Sequence, residues 1–122
     1  VTVAADELLV RRHRTCRATR SIRRYRVYLG ALELDVLLGD VHSLKQKRSL
    51  IKPVLADLRR LGVSASEAGD QDLHRRSRLG VAVVAPDLVH VREILDKCER
   101  LVADRPELEL LSTRRRLFGP ED

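Results

Sequence analysis

The sequence predicts a small α+β domain whose elements run βαββαβ, with four strands in one antiparallel sheet and both helices on a single face. Three observations carry that expectation. Two segments alternate apolar and polar residues with a period of two, as strands with one buried face require. Two others place apolar residues at helical spacing between capping or breaking residues. A chain of 122 residues, 43% hydrophobic and 34% charged, is long enough for one core and too short for two. Connection-handedness rules then give the ferredoxin-like arrangement of these strands.

Residues 27–38 open the domain. Tyr28, Leu32, Leu34, Val36 and Leu38 fall on one side of this strand, and Ala31, Glu33 and Asp35 on the other. Gly39-Asp40-Val41 breaks the alternation, and Ser43 followed by Gln46 has the capping-box spacing that starts a helix. Leu44, Ile51, Val54, Leu55, Leu58 and Leu61 give that helix its stripe, and Gly62 ends it. Pro53 interrupts the pattern, because an interior proline removes a hydrogen bond and crowds the carbonyl four residues back. The helix is expected either to kink there or to begin only at Ser49. Residues 63–68 are short, small and weakly alternating, which suits an edge strand, and Gly69-Asp70-Gln71-Asp72 is a polar connection. Residues 76–85 form a second strong strand, with Leu79, Val81 and Val83 opposed to Arg78, Gly80 and Ala82. Pro86-Asp87 starts the second helix, striped by Val91, Ile94, Leu95, Cys98, Leu101 and Val102 and stopped before Pro106. Residues 107–117 finish the sheet with Leu108 and Leu110 alternating against Glu107 and Glu109, and 119–122 are a C-terminal tail.

The formal net charge of +6 is concentrated in residues 1–26, where eight arginines meet only Asp6 and Glu7. The rest of the chain holds sixteen basic and sixteen acidic groups, so bulk charge does not reveal its function. The segment 1–26 has neither the apolar run nor the cleavage site of a secretory signal. It is expected to be a disordered or non-native extension, since it is too polar and unpatterned to bury itself. No apolar run approaches the length needed to cross a bilayer, so a soluble, cytoplasmic protein without membrane partners is expected. Cys16 and Cys98 make no disulfide framework, which suits a reducing compartment, and Cys98 is expected in the core.

The topology brings two polar segments to one end of the sheet. One runs from His42 through Ser43, Lys45, Lys47 and Arg48; the other holds Asp70, Gln71, Asp72, His74, Arg75 and Arg76. A helix start flanked by cations is suited to phosphate, through its unpaired amides and dipole. Asp70 and Asp72 are hairpin carboxylates that favour the turn. With His42 and His74 they do not have metal-ligand spacing, so no metal or cofactor is assigned. No nucleophile elbow, P-loop, dinucleotide fingerprint or C-x-x-C occurs, and no enzymatic activity is expected, the alternative being a hydrolase that uses His42, His74 and a bound metal. The open sheet face has few aromatic residues and carries Glu33 and Asp35, which repel phosphate, so base stacking there is not expected. That face, or an edge strand, is instead a candidate surface for a homo-oligomer.

The segments from Leu38 to Arg48 and from Gly69 to Arg76, followed by Leu79-Gly80-Val81-Ala82-Val83-Val84, resemble the YlxP-like family of small bacterial proteins. The resemblance spans residues 27–118 and leaves the arginine-rich segment outside. It implies a ferredoxin-like domain of unknown function, in a family associated with translation and ribosome-maturation genes. The motif residues it carries onto this chain are His42, Ser43, Lys45, Lys47, Arg48, Asp70, Gln71, Asp72, His74 and Arg75. The expected function is that of an accessory protein binding RNA or a ribosomal subunit through this loop end. A small-molecule regulatory module and a structural dimerisation domain are the alternatives.

Overall fold

The alternation of residues 27–38 becomes β1 (Tyr28–Leu38), followed by α1 (Leu44–Arg59), β2 (Ser64–Gly69), β3 (Arg76–Ala85), α2 (Leu88–Ala103) and β4 (Leu108–Phe118). The computed structural model describes residues 26–69 and 73–122. The arginine-rich segment up to Tyr25, with Cys16, and the connection residues Asp70, Gln71 and Asp72 lie outside the described residues. The strands form one antiparallel sheet in the order β2-β3-β1-β4, the ferredoxin-like topology that the element order predicts. No described helix is long and apolar enough to cross a membrane.

Leu32, Leu34, Val36 and Leu38 of β1 and Leu79, Val81 and Val83 of β3 are buried against the helices. Ile51, Val54 and Leu58 of α1 and Val91, Leu95, Cys98 and Val102 of α2 meet them in a single core. Close packing decides Gly30: a Cβ there would come within 2.5 Å of Val91 Cγ1 and 2.9 Å of Leu95 Cδ1, so α2 sits nearly on the β1 backbone. Gly62, at φ +85°, takes the left-handed conformation that lets the chain turn out of α1.

Three expectations are corrected. The first helix runs continuously through Pro53 from Leu44, so it does not begin at Ser49. Pro53 and Ser49 are both exposed, so the Ser49 carbonyl that loses its donor lies on the solvent side of the helix, where the loss costs least. Leu44 is exposed, and Lys47 takes the inward position one turn before Ile51. In β4 the simple alternation fails, because Asp35 pairs with Ser112 while Val36 pairs with Leu110, leaving Leu111 as a bulge. The bulge switches the faces: Leu108 and Leu110 point to the helices before it, and Thr113, Arg115 and Leu117 after it. Arg115 accordingly reaches Asp96 (2.9 Å) and Glu99 (3.3 Å) on α2, while Arg114, Arg116 and Phe118 emerge on the open face.

Candidate functional site

Ser43 caps α1 from an extended backbone. Its hydroxyl accepts from the Gln46 amide at 3.2 Å, and Gln46 Oε1 accepts from the His42 amide at 2.7 Å, a reciprocal cap that fixes the loop leaving β1. The predicted meeting of that loop with the β2-β3 connection is realised by two bonds. The Leu38 amide donates to the Arg75 carbonyl at 2.8 Å, and Lys47 Nζ donates to the Leu73 carbonyl at 2.6 Å.

Lys47 does this from inside the protein, at 2% exposure. Its ammonium also lies 2.8 Å from Glu67 Oε2, which accepts a second bond of 2.6 Å from the hydroxyl of Ser77, itself fully buried. Neither Lys47 nor Glu67 is short of partners. Desolvation of a lysine is tolerable only under such saturation. The cluster therefore fastens α1, β2, β3 and the connection between the last two. Lys47 is thus a clamp beneath the surface and not one of its exposed cations. Sequence reasoning missed Glu67 and Ser77. The signal was available, because Ser77 shares the face of Leu79, Val81 and Val83, and Lys47 extends the spacing of Ile51, Val54 and Leu58.

Above this clamp, His42, His74 and Arg75 on the two connections and Lys45 and Arg48 in the first turns of α1 are exposed. His42, 77% exposed, places Nε2 at 2.6 Å from Asp40 Oδ1. Arg48 and Leu44 line, with Lys47 and Glu67, an open recess of about 260 Å³. Arg76 leaves the group: it projects from β3 onto the open sheet face and donates to Asp35 Oδ2 at 2.6 Å. Asp70, Gln71 and Asp72 are outside the described residues. No group of three or more His, Cys, Asp or Glu among the described residues is placed to hold a metal ion. Cys98 is buried, and burial pushes its thiol up to about 11, partly offset by the charge of Arg115, so it is no thiolate nucleophile at neutral pH.

These features define a small ferredoxin-like protein with a clamped, cation-rimmed loop end, a scaffold that by itself implies no activity. Residues 29–115 match the family described as a protein of unknown function, DUF503, and the chain belongs to that family. The uncharacterized protein YlxP of Bacillus subtilis (strain 168) is 32% identical over 91 residues, covering 74% of this chain and 99% of YlxP. The YlxP-like resemblance read from the loop motifs is thereby borne out. Among solved structures, similarity extends to the apo C-terminal domain of a cyclometallase involved in the synthesis of the NPN cofactor of lactate racemase. That likeness has a TM-score of 0.39 and 14% identity, over 77% of this chain and 56% of that one. The chain spans little more than half of that structure.

Proposed function

We propose that the protein is an accessory factor that binds structured RNA, such as that of a ribosomal particle, through its loop end, and that it performs no reaction there. The observation supporting this reading is the set of exposed cations, Lys45 and Arg48 in the first turns of α1 and Arg75 on the β2-β3 connection, which the Lys47 clamp and the Leu38–Arg75 bond hold together. The backbone segments that carry the cations are fastened to each other before RNA arrives, which lowers the ordering cost of binding. The amides of Leu44 and Lys45, in the first turn of α1, have no intrahelical acceptor and suit a phosphate oxygen. His42 and His74 add hydrogen-bonding edges beside them.

The test is co-sedimentation of the full chain with ribosomal subunits across a salt series, beside the variant K45E/R48E/R75E. Phosphate contacts release counterions, so wild-type binding should weaken steeply with salt. The variant should bind at least about tenfold more weakly, with a log–log salt slope shallower by about 3 if each cation meets one phosphate. Undiminished binding by the charge-reversed chain refutes the reading.

A further inference from the structure

The open face of the sheet is ordered by register into five rows. Reading each across β3, β1 and β4, they are Val84–Leu29–Phe118, Ala82–Ala31–Arg116, Gly80–Glu33–Arg114, Arg78–Asp35–Ser112 and Arg76–Leu37–Glu109. The first row is an apolar strip in water: Val84 is 63% exposed, Leu29 44% and Phe118 38%. The last row ends in opposite charges. In the two rows next to the apolar strip β3 presents only Gly80 and Ala82, where β4 presents the two long side chains Arg114 and Arg116.

From this pattern we infer that the open face is the contact surface of a homodimer whose two-fold axis runs along β1. Such an axis lays a second copy face to face, keeps every row at its own height and exchanges the β3 and β4 positions. Val84 then meets the partner's Phe118, and Leu29 meets the partner's Leu29. Arg114 and Arg116 enter the shallow side opposite the partner's Gly80 and Ala82, and Arg76 faces the partner's Glu109. An axis across the strands does the reverse, setting Val84 against the partner's Arg76 and Phe118 against the partner's Glu109. Like rows meet only in the first arrangement, and an isologous contact needs that self-complementarity.

The carboxylates near the axis do not oppose it. Glu33 Oε1 accepts from Arg116 at 3.0 Å and Asp35 Oδ2 from Arg76 at 2.6 Å, so each negative charge is already neutralised within its own copy. This also removes the repulsion expected from those residues in the sequence. Asp35 Oδ1 is buried and has no hydrogen-bond partner among the described residues. On the same row Arg78 and Ser112 flank Asp35, and the axis sets the partner's Ser112 over Arg78 and the partner's Arg78 over Ser112, one strand to either side of it. Three overlapping strands at about 4.8 Å spacing and about 34 Å length cover about 500 Å² per copy, enough for a concentration-dependent dimer.

The experiment is sedimentation velocity of the nuclease-treated full chain over a concentration series, with V84D, F118K and the double variant V84D/F118K. Wild type is expected to pass from monomer to dimer, and each single variant to raise the dissociation constant at least about tenfold. Both positions are exposed, so unchanged far-ultraviolet circular dichroism is expected to confirm the fold. The double variant sets opposite charges at facing positions and is expected to regain dimer. A wild-type chain monomeric throughout, or a V84D chain as dimeric as wild type, overturns the inference. A double variant no better than the singles overturns the axis along β1.

Discussion

A lysine at 2% exposure, one turn before Ile51, occupies a place in α1 that an apolar side chain would fill at no electrostatic cost. Its charge makes sense through what it holds: Glu67 at 2.8 Å, the Leu73 carbonyl at 2.6 Å and, through Glu67, the hydroxyl of Ser77. Removing one member of such a pair leaves the other charge desolvated and unmatched. Lys47→Met is therefore expected to lower unfolding free energy by about 2–4 kcal/mol, the discount from a deeper pair reflecting the partial exposure of Glu67. Adding Glu67→Met removes the stranded carboxylate and should recover at least half of that loss. Urea unfolding of the single and double variants measures both values, and a double variant less stable than Lys47→Met alone refutes the account. On the proposed function, the double variant should bind RNA less well than wild type, because the Lys47–Leu73 bond that ties the connection to α1 is gone.

At the scale of elements, the bulge in β4 determines which of its residues see water. Leu111 is the extra residue between Leu110, paired with Val36, and Ser112, paired with Asp35. Its deletion leaves both pairings intact and regularises the ladder, so that variant is expected to fold with a stability change within about 1 kcal/mol. Deleting Ala82 from β3, where the pairing to β1 has no irregularity, turns half the strand inside out and is expected to abolish folding. Thermal melting of the two deletions separates these outcomes, and equal damage by both refutes the role given to the bulge. The same element shows where the sequence stopped being readable. In β1, β3 and α2 the apolar residues that set the period fall on the buried face, Leu29 and Val84 being the large exceptions on the open side of the sheet, so those elements could be read directly. In β4 the run Leu110-Leu111 hides a shift of face, because two adjacent leucines fit either side of a strand and only the partner strand decides between them. The Ser43–Gln46 cap was legible for the opposite reason, since its hydrogen bonds lie within five residues. The loop-end meeting was legible from topology alone. The inward position of Lys47 was legible in its spacing to Ile51, Val54 and Leu58, but its partners Glu67 and Ser77 are distant in the chain, and only the fold brings them to it.

For the whole molecule, the axis that pairs the open faces also fixes how the loop ends are displayed. Rotation about β1 leaves heights along the strand unchanged, so both loop ends of the dimer lie at the same end, with the facing sheets about 10 Å apart. If the loop end binds RNA as proposed, two sets of Lys45, Arg48 and Arg75 are then offered to one RNA surface. Once the first set is engaged, the second binds at high effective concentration, so a large target gains affinity from a contact that a small one cannot use. V84D should therefore weaken binding to a ribosomal particle by about tenfold or more, yet leave unchanged the affinity for a hairpin too short to reach both loop ends. K45E/R48E/R75E should weaken binding to both targets while leaving the sedimentation mass at that of wild type. Titrating both RNAs against the two variants in parallel, at one salt concentration, separates the contributions. Equal losses on the short hairpin and the particle for V84D would mean that the sheet face touches RNA directly. A particle affinity unaffected by V84D would mean that the two loop ends act independently.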